Sequence, residues 1–279
     1  MKRLKKSTPF KSRYIAKLAL TCVEKNMEVP QKLYHYTTVN TLALILQSQS
    51  ILFNRADKVN DKREGLSSDF GSMAQYIFLS CWTETKEEDL SLWNMYTPQM
   101  RGVRIEFPMP IFETYQIDDI YTTIIPSDKI EDIERKIFIL PHKDLVYKVE
   151  YTDDQELLTP KIITTLDKYE GLRLTDIGTR KKTMWQVENE WRFRLNIFPI
   201  DVSLDTAFYP DRYYKLVESR IAPPIENYLV KVNGKSFRQM KIRLGPKMNS
   251  GDEEIVKALI AIYNPTAEFG YSDLTGDIR

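Results

Sequence analysis

At 279 residues the chain is long enough for one large domain or two small ones, and 42% hydrophobic and 11% aromatic residues let it bury a sizeable core. Forty basic side chains against thirty-nine acidic ones leave a net charge of +1, so global charge favours no polyanionic partner and local runs must carry that argument. Two cysteines and two histidines form no set with zinc-site spacing, so no metal site is expected, and no stretch approaches the ~18 apolar residues that cross a bilayer. The basic start lacks the apolar run of a signal peptide, and the reading is a cytoplasmic protein with reduced thiols and no membrane contact.

Residues 1–13 contain Lys2, Arg3, Lys5, Lys6, Lys11 and Arg13 and no acid, which suits either a solvated terminus or an arm that touches phosphates. Ile15, Leu18, Ala19 and Val23 fit the stripe of a helix that Pro30 closes. Residues 1–30 are therefore read as a basic helical extension and 31–279 as a single α+β domain. A strand is expected over 32–36, followed by a helix capped by Thr37 or Thr38, with Leu42, Ile45 and Leu46 on its buried face. A short strand over 51–53 leads into a polar loop, Asn54 to Glu64, which either faces solvent or lines a site.

The apolar run 76–82 predicts a strand covered on both faces, and Glu84 to Asp89 suits a helix N-terminus. In that helix Leu90, Trp93 and Tyr96 share a face. Residues 102–107 alternate as a half-buried strand. The middle of the chain predicts an irregular helix over 118–140, a strand over 145–151 and helical composition over 155–168, interrupted by Pro160. A basic cluster, Arg180-Lys181-Lys182, precedes a clean alternation: Trp191, Phe193 and Leu195 face one way, Glu190, Arg192 and Arg194 the other. Glu188 joins the charged face if the strand reaches back. Beyond a loop (199–211) come a helix (211–219), strands over 228–232 and 240–244, turns at Asn233-Gly234 and Gly245-Pro246, and a helix capped by Asp252 that buries Ile255, Val256, Leu259 and Ile260. One short strand lies in 267–279.

The residues that bear chemistry also have plain readings. His35 at a strand end suits a satisfied structural histidine, and Glu188, Glu190, Arg192 and Arg194 suit cross-strand ion pairs. Trp93, Tyr96, Trp185 and Trp191 suit the core, Asn60-Asp61 suits a turn, and Cys81 in its apolar run suits an inert thiol.

Six pieces nonetheless occur together: Tyr34-His35-Tyr36-Thr37; Asn60-Asp61 with Glu64; Phe78 to Cys81; Trp93 to Tyr96 with Gly102 and Glu106-Phe107; Trp185 with Glu188, Glu190, Trp191 and Arg192; and Leu244-Gly245-Pro246. In order and spacing this set resembles an uncharacterised bacterial domain-of-unknown-function family with a YxYT-type start, an FND-type loop, a WxxY…G segment and an ExEWR strand. Val59 stands where that family tends to have phenylalanine.

A strand ending in Tyr-His, a capped helix and a second strand are also distantly similar to the opening of ADP-ribosyltransferases. That resemblance implies an α+β fold of two small β-sheets with flanking helices. It implies NAD as substrate, with transfer of ADP-ribose to a nucleic-acid or protein acceptor or hydrolysis of NAD. It also implies a toxin or phage-defence setting with an antitoxin or defence-system partner. On this reading His35 holds the nicotinamide ribose, and Glu190, or Glu188 in a shifted register, is the catalytic carboxylate. Tyr34, Tyr36, Thr37, Asn60, Asp61 and Arg63 line the cofactor site. The middle strand motif of that superfamily has no clear match, Tyr76, Ser80 and Asn54 being candidates. Two alternatives stand beside it: a non-catalytic nucleotide- or nucleic-acid-binding domain of the same fold, and a nuclease using Asp61, Glu64, Glu188 and Glu190 as metal ligands.

Overall fold

A computed structural model describes residues 28–116, 122–140, 146–166, 169–200 and 218–278. Strand β1 (Lys32–Thr37) runs directly into helix α1 (Val39–Ser48). Thr38 turns the corner: its backbone is extended and its hydroxyl accepts from the Thr41 amide at 3.1 Å, a cap worth about 1 kcal/mol. Leu42, Ile45 and Leu46 are buried at helical spacing, and Gln49, in left-handed conformation, returns the chain into β2 (Ser50–Arg55). Then come β3 (Ile77–Thr83), α2 (Leu90–Tyr96) capped by Asp89, and β4 (Val103–Pro108). The middle supplies β5 (Glu131–Asp132), β6 (Ile137–Leu140), β7 (Val146–Lys148) and the single turn α3 (Gln155–Leu158). The remainder is β8 (Glu190–Pro199), β9 (Asn227–Lys231), α4 (Gly234–Arg238), β10 (Lys241–Leu244), α5 (Ser250–Tyr263) and β11 (Glu268–Tyr271).

These strands form one eleven-stranded mixed sheet in the order β11-β10-β4-β1-β3-β8-β6-β5, with β2 and β9 added beside β3 and β7 beside β8. All of its pairings are antiparallel except β10 with β11. The architecture is thus α+β, with one large sheet and few helices. The two separate small sheets expected from the sequence are joined, because β1 and β3 meet at the pair Tyr34↔Thr83.

That junction is narrow. The same edge of β3 is shared by β1, at Thr83, and by β2, at Leu79 and Phe78. The strands fork between them, and the His35 imidazole reaches the Cys81 carbonyl there, Nδ1 at 3.0 Å. Nδ1 is therefore the protonated nitrogen, since a carbonyl only accepts.

One face of the sheet carries the main core. Leu33, Trp82, Ile105, Phe107, Trp191, Phe193 and Leu195 pack there under α1 and α5, whose Val256 and Ile260 complete it. Each such aliphatic or aromatic side chain contributes on the order of 1.5–3 kcal/mol by leaving water. The other face carries two smaller clusters, one around Ile77, Leu79 and Phe198, and one around Tyr36, Leu92 and Trp93.

Several expectations change. Residues 122–140 hold strands and a 3-10 turn in place of an irregular helix, and only residues 155–158 of the expected helix 155–168 form, with a strand at Ile163–Leu166. Leu92 and Trp93, not Leu90, make the buried face of α2. Asn233 caps α4, and Asn249, not Asp252, caps α5, where Ile255 is exposed. The expected helices over 12–25 and 211–219, together with Cys22 and His142, lie wholly or mostly outside the described residues.

Candidate functional site

The charged face of β8 decides where the site is. Glu190 and Arg192 sit two residues apart on one strand face, both buried, and a buried charge needs a partner. Arg192 finds three. It grips both carboxylate oxygens of Glu64, one at 2.8 Å; it bonds Glu190 at 2.5 and 3.0 Å; and it donates to the Gly178 carbonyl at 2.8 Å. Glu64 is held out of the polar loop by local chemistry. Asp61 accepts from the Arg63 amide at 3.0 Å and, through its carbonyl, from the Glu64 amide at 3.1 Å. Gly65 follows at φ +73°, where a Cβ would lie 2.9 Å from the Ala74 backbone.

Lys181 extends the network. Its ammonium lies 2.6 Å from Glu188 and 2.8 Å from Glu190, below the ring of the half-buried Trp185. The strand does not reach back to Glu188: a 3-10 turn, Thr183–Glu188, and a left-handed Asn189 intervene. Its carboxylate nevertheless meets the same ammonium and accepts from the Tyr96 hydroxyl of α2. The Tyr151 hydroxyl accepts from the Glu190 amide at 2.9 Å. Three buried glutamates thus face two buried cations.

The two neighbouring carboxyls respond oppositely. Burial pushes both up. For Glu190, Arg192 and Lys181 outweigh burial and hold the carboxyl down at about 2. For Glu188 burial wins, and the nearby Glu190 charge adds to it, so its proton affinity rises. Burial and Glu188 raise the Tyr96 phenol, and burial and Glu190 push the Cys81 thiol well up. Among the described residues no group of three His, Cys, Asp or Glu is placed to hold a metal ion.

His35 is not part of this cluster. Directly paired residues share a sheet face, so Tyr34, Thr83 and Glu190 lie on one face. His35, one residue on, points to the other face, where its ring leans on Trp82 at 5.0 Å between centroids. Burial lowers its affinity for a second proton, partly offset by the Cys81 carbonyl. Sheet parity therefore separates the two residues expected to grip one ligand.

Tyr34 and Tyr36 do share the Glu190 face. Both are buried against Arg104, whose guanidinium lies 4.0 Å from the Tyr34 ring centre. Arg104 donates to the carbonyls of Thr85 (3.0 Å) and Lys86, and its buried Nε has no hydrogen-bond partner among the described residues. The Tyr36 hydroxyl accepts from the Asp89 amide at 3.3 Å, and Thr37 ends β1, buried. Asn60 and Arg63 are exposed and Asp61 is half-buried in its turn; these three remain outside the network, adjoining it only through Glu64. Of the basic cluster, Lys181 is buried in the network and Arg180 pairs with Glu150 at 3.0 Å.

The role of Lys181 and the pairing of Glu64 with Arg192 are the parts that sequence reasoning missed. The sequence shows an alternating strand with a charged face; that β8 is buried along its whole length, so that Glu190 and Arg192 demand opposite charges from elsewhere in the chain, is visible only in the structure. No protein-family profile, no curated protein and no solved structure matches this chain. Among the described residues no helix is long and apolar enough to cross a membrane.

Proposed function

We propose that the chain consumes NAD, transferring ADP-ribose to a macromolecule or hydrolysing NAD on an ADP-ribosyltransferase-like frame, with its reacting centre at Glu188 and Tyr96 and not at a His35–Glu190 pair. One observation supports this above others: two adjacent carboxyls bridged by Lys181 have proton affinities driven apart, the arrangement that divides acid–base work from charge stabilisation. Glu190 stays ionised and supplies fixed negative charge where the ribose becomes cationic. Glu188 takes the proton of the attacking hydroxyl or amine. On the same sheet face Arg104 is buried with, among the described residues, no carboxylate bonded to it and one orphaned nitrogen, which fits the diphosphate of a dinucleotide.

A second reading, a nucleotide- or nucleic-acid-binding domain without chemistry, is favoured by the separation of His35 from Glu190 and by the closed pairing of Glu64, Glu190 and Arg192. A nuclease has less support, because Arg192 and Lys181 occupy the three glutamates and Asp61 lies apart.

Labelled NAD, purified protein and a bacterial lysate separate these. Nicotinamide release by the wild type, reduced by roughly 100-fold or more in Glu188→Gln and retained in His35→Ala, is the expected result. Release unaffected by Glu188→Gln would move the centre elsewhere. No release from folded wild-type protein, with the NAD intact, would leave the binding reading.

A further inference from the structure

We infer that α2 is a lid over Glu188, latched shut by Glu88; this deepens the reading of Glu188 above and rests on it for its functional sense. As folded, the centre is closed. Glu188 is 4% exposed, and its carboxylate meets the Lys181 ammonium and the Tyr96 hydroxyl. A substrate reaches that carboxyl only after one of these gives way. Lys181 is also held by Glu190, inside the ion-pair network. Tyr96 is the last residue of α2, a helix of seven residues that packs against the 3-10 turn ending on Glu188. Substrate enters as the lid lifts, and Tyr96 returns to the centre as it falls.

Little else fastens α2. Its Leu92 and Trp93 stand outside the main core, in the small cluster with Tyr36 and Met100, and Leu274 and Ile278 from the segment after β11 pack against that cluster half-buried. Short helices with few apolar contacts are the parts of a fold that open first. Glu88 ties these pieces together. It precedes the Asp89 cap, its side chain is 2% exposed, and it accepts from the Trp93 indole at 3.0 Å, the Arg243 guanidinium of β10 at 3.3 Å, the Asp273 amide at 3.1 Å and the Ser272 hydroxyl. One buried carboxylate thus joins α2, the sheet and the segment after β11, through bonds of the charge-assisted kind. Beside it, the Asp89 amide meets the Tyr36 hydroxyl only at a long 3.3 Å.

Both ends of the lid have a place to pivot. Beyond Thr97 the chain passes through Gln99 and Met100, left-handed at φ +53° and +59° although neither is glycine. Such a pair costs energy and persists only where its surroundings hold it. On the other side Arg104 fixes the Thr85 and Lys86 carbonyls. The stretch between these two points swings when Glu88 lets go.

The test needs no NAD. The full chain is treated with a water-soluble carbodiimide and glycinamide, which convert accessible carboxyls to amides, and its peptides are read by mass spectrometry. A direct amide bond from Glu188 to Lys181 counts equally, since the carbodiimide must still reach Glu188. In the wild type Glu188 should react far more slowly than the exposed Glu226 and Glu254. In Glu88→Ala its rate should rise roughly tenfold or more, because each lost bond to a charged group shifts the open population by about that factor. Leu274→Asp/Ile278→Asp, which keeps Glu88 but loosens the segment it grips, should do the same. Glu64, equally buried but bonded to Arg192 and not to α2, is the internal control and should stay protected. Three results would overturn the inference: wild-type Glu188 reacting as fast as Glu254, Glu188 protected in both variants, or Glu64 rising in step with Glu188, the mark of general loosening. Nicotinamide release from the same samples before modification keeps the two readings apart: a wild type that releases none removes the NAD reading, and the labelling still decides the latch.

Discussion

Replacing Arg192 by methionine should be among the most damaging single changes to this fold. The guanidinium is fully buried and joins Glu64, Glu190 and the Gly178 carbonyl. Without it, Glu64, Glu188 and Glu190 confront Lys181 alone. Removing one partner of a buried ion pair costs about 3–5 kcal/mol, a large share of the roughly 5–15 kcal/mol that holds a typical domain together. The loss arises from the carboxylates left behind, so removing one of them as well should recover part of it. Glu64→Leu/Arg192→Met is therefore expected to be at least ~1 kcal/mol more stable than Arg192→Met alone, a non-additivity proper to residues in direct contact. Urea unfolding at pH 7, followed by the fluorescence of the buried Trp82, Trp93 and Trp191, gives both values. An Arg192→Met protein within ~1 kcal/mol of wild type, or a double variant whose losses simply add, would refute the reasoning.

The Glu190 carboxyl lies near 2 in the folded protein against 4.5 for a free glutamate, so its contribution is present above 4.5 and lost as pH falls toward 2. The raised Glu188 works in the other direction, its cost being relieved as it takes a proton. Thermal midpoints of the wild type should therefore fall more steeply across that acid window than those of Glu190→Gln, and parallel curves would count against this account. Gly102→Ala places a Cβ 2.2 Å from the Thr37 carbonyl oxygen and 2.5 Å from the Thr97 methyl, and should cost about 3 kcal/mol. Gly270→Ala, whose Cβ would meet no atom of the described residues beyond its chain neighbours within 4 Å, is the control, and equal losses at the two positions would show that crowding at 102 is not the cause.

The sequence made the local elements of this fold legible wherever period and chemistry agreed. The Thr38 cap, the Leu42-Ile45-Leu46 stripe and the alternation over 190–195 all form as read, because each depends on neighbours within a few residues. Within the described residues, 122–140 and the part of 155–168 beyond the helical turn Gln155–Leu158 depart from the helical reading. Their composition suits a helix, but in the first a short strand pairs with a partner distant in sequence, Ile139 with Ile197, and in the second Ile163–Leu166 pairs back on Tyr169–Leu172, so sheet pairing overrides weak propensity. At the site, Glu188 and Glu190 stand out in the sequence and the structure brings both to Lys181, whereas the separation of His35 was not legible. Its face depends on a single register, Tyr34 against Thr83, and a one-residue slip in that pairing would reverse it. Lys181 looked like one of three surface cations, and only the fold shows it facing inward.

The fork at β3 makes the centre of this sheet its least ladder-bound line. Backbone pairing between β1 and β3 is confined to one registered pair, and an imidazole takes the next carbonyl. What closes the seam is chiefly oil: Leu33 and Trp82, from either side of it, belong to one apolar cluster. Cohesion of that kind weakens on cooling, whereas the longer ladders on each flank do not depend on it in the same way. The first amides to lose exchange protection near freezing should therefore be those along the middle of the sheet, where most proteins keep their slowest ones.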